Sequence, residues 1–253
     1  MEHSTEILYN KTEVYCSAVH RFGSDALLLA RFCEPRRSQK AADLCSGCGI
    51  VSLEWHDRGH RGPCAAVELQ PEASALLQEA VTAQGIEHIT PYLTDLRTFR
   101  EGEGQFDVCA CNPPYFTAGP QSTDAGRATA RHETDCTLED VCACGFRLLK
   151  DGGKLVVVSP SPRHLFELKE VLYEKPYENK PNVYGLNKFD ESEEMIFEYP
   201  VVLESQEDIF NLFTMTPYYY KTSAEAVEKL KKVNRLELTC GFSIRTFTKK
   251  RGF

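Results

Sequence analysis

Between about residues 39 and 172, short apolar runs alternate with stretches in which apolar side chains return every three or four positions. That rhythm predicts strands separated by helices. Lys40-Ala41-Ala42-Asp43-Leu44 reads as a buried strand, followed by the small-residue turn Ser46-Gly47-Cys48-Gly49 and a helix from Ile50 to about Arg58. Ala65 to Glu68 is a second strand. Pro71 opens a helix that runs to about Gln84 and stops at Gly85, as helix start and stop signals require. Ile89 to Leu93 and Phe106 to Cys111 are the next strands, the latter read as apolar throughout and buried on both faces. Thr137, with Asp140 three residues on, opens another helix in a capping box, and Gly152-Gly153 is expected to close it. Lys154 to Val158 is a fifth strand, and Pro162 to Leu172 a further helix.

Beyond Leu172 the rhythm breaks. Residues 173–193 are polar, carry Pro176, Pro181 and Gly185, and read as loop. Met195 to Leu203 and Leu236 to Phe247 have strand character, with helices expected at 205–213 and about 224–233. Repeated strand–helix units imply right-handed crossovers and a parallel sheet covered on both faces. The expected architecture is therefore α/β, a mostly parallel seven-stranded sheet with an antiparallel edge strand. Residues 1–38 are expected to form a segment packed near a ligand site, and 39–253 the main domain. That domain divides into 39–158 and a half, 159–253, which completes the sheet and carries a helical insertion at 205–235.

Composition narrows the class. In 253 residues, 29 Lys and Arg face 37 Asp and Glu, a net charge of −8, which excludes a generally basic nucleic-acid-coating protein. No apolar run approaches the roughly 20 residues that span a bilayer. The polar start Met1-Glu2-His3-Ser4-Thr5-Glu6 does not read as a signal sequence, so a cytoplasmic location is expected. Eleven cysteines lack the spacing of a disulfide framework or zinc module, and Cys109, Cys111, Cys142 and Cys144 fall in apolar patterns where a thiol acts as a small hydrophobe. No metal is expected.

The candidate chemistry lies at the carboxyl ends of the strands. Gly47 and Gly49 allow a ligand close to the backbone at a helix start. Asp43 before them disfavours a pyrophosphate and suits a cationic or amine-bearing ligand. Glu68 ends the second strand, where an acid can take ribose hydroxyls, and Asp95 follows the third, where it can accept from an exocyclic adenine amine. The bland alternative is that such acids cap helices. After the fourth strand, Asn112-Pro113-Pro114-Tyr115 forms a stiff corner. The Asn112 side-chain carbonyl and the Pro113 carbonyl can converge on one planar amine while Tyr115 offers a face for a base to stack on. Two acceptors favour a more tetrahedral nitrogen, localise its lone pair and stabilise the developing positive charge without a strong base.

Asp43 to Gly49, Glu68, Asp95 and Asn112 to Tyr115 resemble the S-adenosylmethionine-dependent amino-methyltransferases. With Phe22-Gly23-Ser24-Asp25-Ala26-Leu27-Leu28-Leu29 and Ala130-Arg131-His132-Glu133, residues 1–158 are similar to the bacterial enzymes that methylate N6 of the adenine beside the anticodon of a valine tRNA. The resemblance implies a Rossmann-like class I methyltransferase fold with S-adenosyl-L-methionine as cofactor. It implies a cofactor site of Asp43, Ser46, Gly47, Gly49, Glu68, Leu69, Asp95, Leu96 and Asn112, with Ser24 and Asp25 near the methionine end. Asn112, Pro113, Pro114 and Tyr115 would be catalytic, and Tyr115, Phe116, Arg127, Arg131 and His132 would meet the RNA.

Residues 159–253 resemble instead the C-terminal part of bacterial ribosomal-RNA guanine-N1-methyltransferases, through Ser161 to Lys169 and Met215-Thr216-Pro217-Tyr218-Tyr219-Tyr220-Lys221. The expected activity is methylation of an adenine N6 amine in tRNA. Ribosomal-RNA guanine methylation, glutamine side-chain methylation and a non-catalytic RNA-binding role are the alternatives. Basic clusters at Arg36, Arg37 and Lys40, at Lys229, Lys231, Lys232 and Arg235, and at Lys249, Lys250 and Arg251 could meet phosphates, although such clusters are commonly solvated faces. Tyr218 to Tyr220 could stack on bases or build a core.

Overall fold

In the computed structural model, residues 3–113, 136–180, 187–220 and 222–252 are described. Their strands are β1 (Ser4–Ile7), β2 (Glu13–Cys16), β3 (Ala41–Leu44), β4 (Cys64–Glu68), β5 (Ile89–Leu93), β6 (Phe106–Cys111), β7 (Leu149–Pro160), β8 (Phe189–Leu203) and β9 (Leu236–Lys249). The helices are α1 (Ser24–Phe32), α2 (Ile50–Asp57), α3 (Pro71–Ala83), α4 (Leu138–Leu148), α5 (Phe166–Leu172), α6 (Gln206–Met215) and α7 (Ala224–Leu230). β1 and β2 form a hairpin; the other seven strands form one sheet in the order β5-β4-β3-β6-β7-β9-β8.

The first five sheet strands are parallel, and every residue of β3 and β4 is buried, as coverage on both faces demands. One face packs on α1, α2 and α3 through Leu29, Leu53, Trp55 and Leu77; the other packs on α4 through Val141, Cys144 and Leu148. The Trp55 indole N–H, which burial would otherwise leave unpaired, donates to the Ala30 carbonyl at 3.0 Å and ties α2 to α1. The N-terminal hairpin is held by Asp57, whose carboxylate accepts the N–H groups of Asn10 and Thr12 at 2.8 and 3.0 Å. Cys109, Cys111 and Cys144 are fully buried in the second core, and all eleven cysteines are free thiols.

Local signals are realised where one element contains all of its determinants. Pro71 sits in the first turn of α3, and Thr137 and Asp140 close a reciprocal capping box on α4. Several boundaries move for tertiary reasons. α4 stops at Leu148, and Gly152-Gly153 lie inside β7, where the pairing with β6 shifts register between Phe106 and Val108. A side chain at Gly153 would stand 2.9 Å from the Lys150 carbonyl oxygen, so this glycine serves the irregular strand start rather than the helix end. β6 is not apolar throughout: Asp107 accepts the Lys40 N–H at 2.9 Å and pairs with Lys150.

Leu165 adopts a left-handed conformation (φ 54°), so the helix expected from Pro162 begins only at Phe166. β8 starts six residues before the expected Met195, because the whole strand pairs with β9 from Phe189↔Lys249 to Leu203↔Leu236. Its polar composition is compatible with an edge strand facing water. The antiparallel edge is present, but the reversed strand is β9, one in from the rim, pairing with β7 on one side and β8 on the other.

Candidate active site

Leu44 of β3 is level with Val67 of β4 and Cys111 of β6, and Glu68 of β4 is level with Leu93 of β5. The turns leaving these strands therefore open on one crevice at the carboxyl end of the sheet, where open α/β folds bind ligands. The turn after β3 alternates its hand: Cys45, Gly47 and Gly49 have φ of 58°, 56° and 84°. Cys45 is not a glycine, and holding it there costs roughly 1 kcal/mol. The two glycines serve different ends. A Cβ at Gly49 would lie 2.3 Å from Leu77 Cδ1, so Gly49 lets α2 pack on α3; a Cβ at Gly47 would meet nothing within 4 Å, so Gly47 faces open space.

Two acids converge on this turn. Asp43 is 1% exposed, and its Oδ2 accepts the Ser52 N–H at 3.1 Å. Burial, aided by the nearby Glu68 charge, lifts its pKa from 3.8 to about 7. Glu68 is also buried; it accepts the Gly47 N–H at 2.7 Å and the Gln70 N–H at 2.8 Å, and burial raises its pKa as well. Next to them the Ser46 hydroxyl is buried with no hydrogen-bond partner among the described residues. A buried carboxyl with one backbone donor, a second held by backbone N–H groups, an orphaned hydroxyl and an open glycine fit a small ligand that carries positive charge and hydroxyl groups. S-adenosylmethionine has both.

The remaining expected cofactor residues divide. Leu69, just past β4, leaves 41% of its surface exposed, whereas Leu96 is a core residue. Asp95 closes a turn: its carbonyl accepts from Thr98 and Phe99, and its carboxylate accepts the Arg97 N–H and pairs with that guanidinium, which holds its pKa below the usual range.

At the end of β6, Asn112 is half-buried and Pro113 buried. The Asn112 side-chain N–H donates to Asp25 Oδ2 at 2.9 Å, and the neighbouring Ser24 hydroxyl lies 2.8 Å from the Tyr199 hydroxyl on β8. The structure thus gathers Ser24, Asp25, Asn112 and Tyr199 at the start of α1. Tyr199 had no signal in the sequence: it lies 175 residues from its partner. Pro114, Tyr115, Phe116, Arg127, Arg131 and His132 lie outside the described residues.

Other candidates are placed elsewhere. Arg36, Arg37 and Lys40 precede β3, and Lys249 pairs near the start of β7, both at the amino end of the sheet away from the crevice. Lys229, Lys231 and Arg235 are paired with Glu225, Glu228 and Glu204. Tyr218 is buried in a third core with Leu168 and Phe213, so it is not available for stacking; Tyr219 is 43% exposed.

Among solved structures, the chain is similar to the YcgJ protein of Bacillus subtilis, with a TM-score of 0.55, 12% identity, and coverage of 90% of this chain and 99% of that one. It is similar also to a coclaurine N-methyltransferase, with a TM-score of 0.52, 12% identity, and coverage of 89% and 72%. At that identity the likeness defines the fold, that of the Rossmann-like α/β methyltransferases. The family model described as methyltransferase small domain matches residues 6–181, and the chain belongs to that family.

Curated relatives include the tRNA1(Val) (adenine(37)-N6)-methyltransferases of Aeromonas hydrophila and Parabacteroides distasonis. The first is 30% identical over 56% of this chain and 60% of its own length; the second is 27% identical over 60% and 62%. The matches thus span about three fifths of those relatives.

Proposed function

We propose that this protein transfers a methyl group from S-adenosylmethionine to the exocyclic N6 amine of an adenine in tRNA, the adenine beside the anticodon of a valine tRNA. The observation that carries the reading is the Asn112-Pro113 corner, which stands at the end of β6 on the same crevice as Asp43, Ser46, Gly47 and Glu68. The names of the curated relatives support the tRNA substrate. No described helix is long and apolar enough to cross a membrane, which is compatible with action on tRNA in the cytoplasm.

When bound, S-adenosylmethionine supplies an electrophilic methyl on a sulfonium sulfur. Asp43 and Glu68 offer negative charge to its cationic groups, Glu68 and Ser46 have oxygens suited to its hydroxyls, and Leu69 provides an apolar surface for its base. The Asn112 Oδ1 and Pro113 carbonyl hold the two protons of the target amine, turning its lone pair toward the methyl. The same two oxygens would stabilise the positive charge that develops on the amine nitrogen as it is methylated, until its proton passes to water. The target base must first leave its stack, which an anticodon-loop nucleotide does at low cost.

The test incubates the protein with methyl-labelled cofactor and separated tRNA and ribosomal RNA, followed by digestion to nucleosides. The expected product is N6-methyladenosine from tRNA alone, lost by about 100-fold in Asn112→Ala. Methylguanosine from ribosomal RNA, or label in protein glutamine, overturns the reading.

A further inference from the structure

We infer that Asp25 is a positioning residue for methyl transfer: its carboxylate sets which way the Asn112 side-chain amide faces. This rests on the reading of Asn112 as acceptor of the target amine. An asparagine amide has an oxygen end and a nitrogen end of nearly equal size, and without a directing contact it can present either. Only the oxygen end accepts an amine N–H; the nitrogen end would bring two donors face to face. Here the Asn112 Nδ2 donates to Asp25 Oδ2, 2.9 Å away, a contact the amide oxygen could not make with an accepting carboxyl oxygen. That contact directs Oδ1 to the opposite side.

A second feature of the chain guards the same contact. Gly23 precedes α1 with φ −106° and ψ 178°, an extended conformation that any residue adopts. Its lack of a side chain has another use: a Cβ there would stand 2.5 Å from Asp25 Oδ1. Glycine at 23 leaves room for the carboxylate to lie where Asn112 needs it. The start of α1 is anchored on its other flank by the Ser24–Tyr199 hydroxyl pair, so Asp25 is presented from a fixed point rather than from a free helix end. The ordinary role of an acid in a first helical turn is to meet the helix dipole. That role does not explain the bond to a residue 87 positions away.

The experiment is a double-mutant cycle on methyl transfer at saturating cofactor, with S-adenosylmethionine affinity measured separately by calorimetry and folding checked by circular dichroism. Asp25→Ala and Gly23→Ala are each expected to lower turnover about 10- to 100-fold with cofactor affinity unchanged, because the reacting groups are misplaced rather than removed. In an Asn112→Ala background neither change should lower the residual rate further. Gly23→Ala keeps every polar group and tests the geometry should Asp25→Ala fold poorly. Weakened cofactor binding with intact turnover in Asp25→Ala, or losses that add to that of Asn112→Ala, would make Asp25 a cofactor ligand or a scaffold and overturn the inference. If Asn112→Ala itself retains full turnover, the functional reading fails instead, so the two failures are told apart.

Discussion

Among the side chains that carry charge in water and are buried in this fold, Lys169 and Asp43 have different surroundings. Lys169, in the C-terminal half, is 0% exposed. Its ammonium donates to the Tyr177 carbonyl at 3.0 Å and to Asn179 Oδ1 at 2.7 Å, and lies 4.7 and 5.5 Å from the ring centres of Tyr177 and Tyr218. Asn179 in turn donates to the Ser161 carbonyl, which extends the network to the end of β7. Asp43, at the glycine turn, is answered among the described residues by Ser52, stands near a second acid, and neighbours a hydroxyl with no partner. A buried charge held by several oxygens and rings ties structure together; one with a single backbone donor is ready for something that arrives later.

The largest expected effect is on Asp43. Between pH 4 and 7 the native protein keeps a proton on this carboxyl that the unfolded chain has released, because the folded pKa is about 7 against 3.8. Its contribution to stability is therefore complete below pH 4 and lost as pH rises to 7, a fall of about 4 kcal/mol. Urea unfolding across this range should show the decline, and Asp43→Asn should flatten it. Saturating S-adenosylmethionine should oppose the decline too, since a cation beside Asp43 favours its ionised form. Equal slopes in the two proteins would break the comparison.

Next in size is Lys169→Met. It removes the buried donor shared by the Tyr177 carbonyl and Asn179 Oδ1 and should cost about 1–2 kcal/mol in denaturant unfolding. Cofactor affinity should not change; a matching loss of affinity would mean that the two halves are coupled after all.

The smallest effect is that of Ser46→Ala. Removing a buried hydroxyl that has no partner should raise stability by about 1 kcal/mol, while weakening S-adenosylmethionine binding. A variant that is less stable and binds as before would return Ser46 to the ordinary core.

Much of the frame is readable one segment at a time. The Pro71 start, the Thr137–Asp140 box, the buried strands and the glycine turn all follow from interactions within a few residues. Errors gather where a distant strand intervenes. Gly152-Gly153 resemble a helix stop, but β6 draws the chain into a strand there; residues 189–193 resemble loop, but β9 pairs with them across a register shift between Glu191 and Glu193. The site shows the same division. Asp43 and Glu68 are identifiable by their places at strand ends, whereas nothing local in Asp95 distinguishes a ligand from a turn cap.

The order of apolar and polar residues was sufficient to determine a mostly parallel α/β sheet and the strand ends where Asp43, Glu68, Asn112 and Pro113 stand. Those features depend on periodicity and on turn chemistry, which act between near neighbours. Tertiary structure alone decided that Asp25 meets Asn112, that Tyr199 meets Ser24, and that β9 runs backwards inside the sheet. Each of these joins residues dozens of positions or more apart, and such contacts arise only once the burial of the whole core has brought the strands and helices side by side.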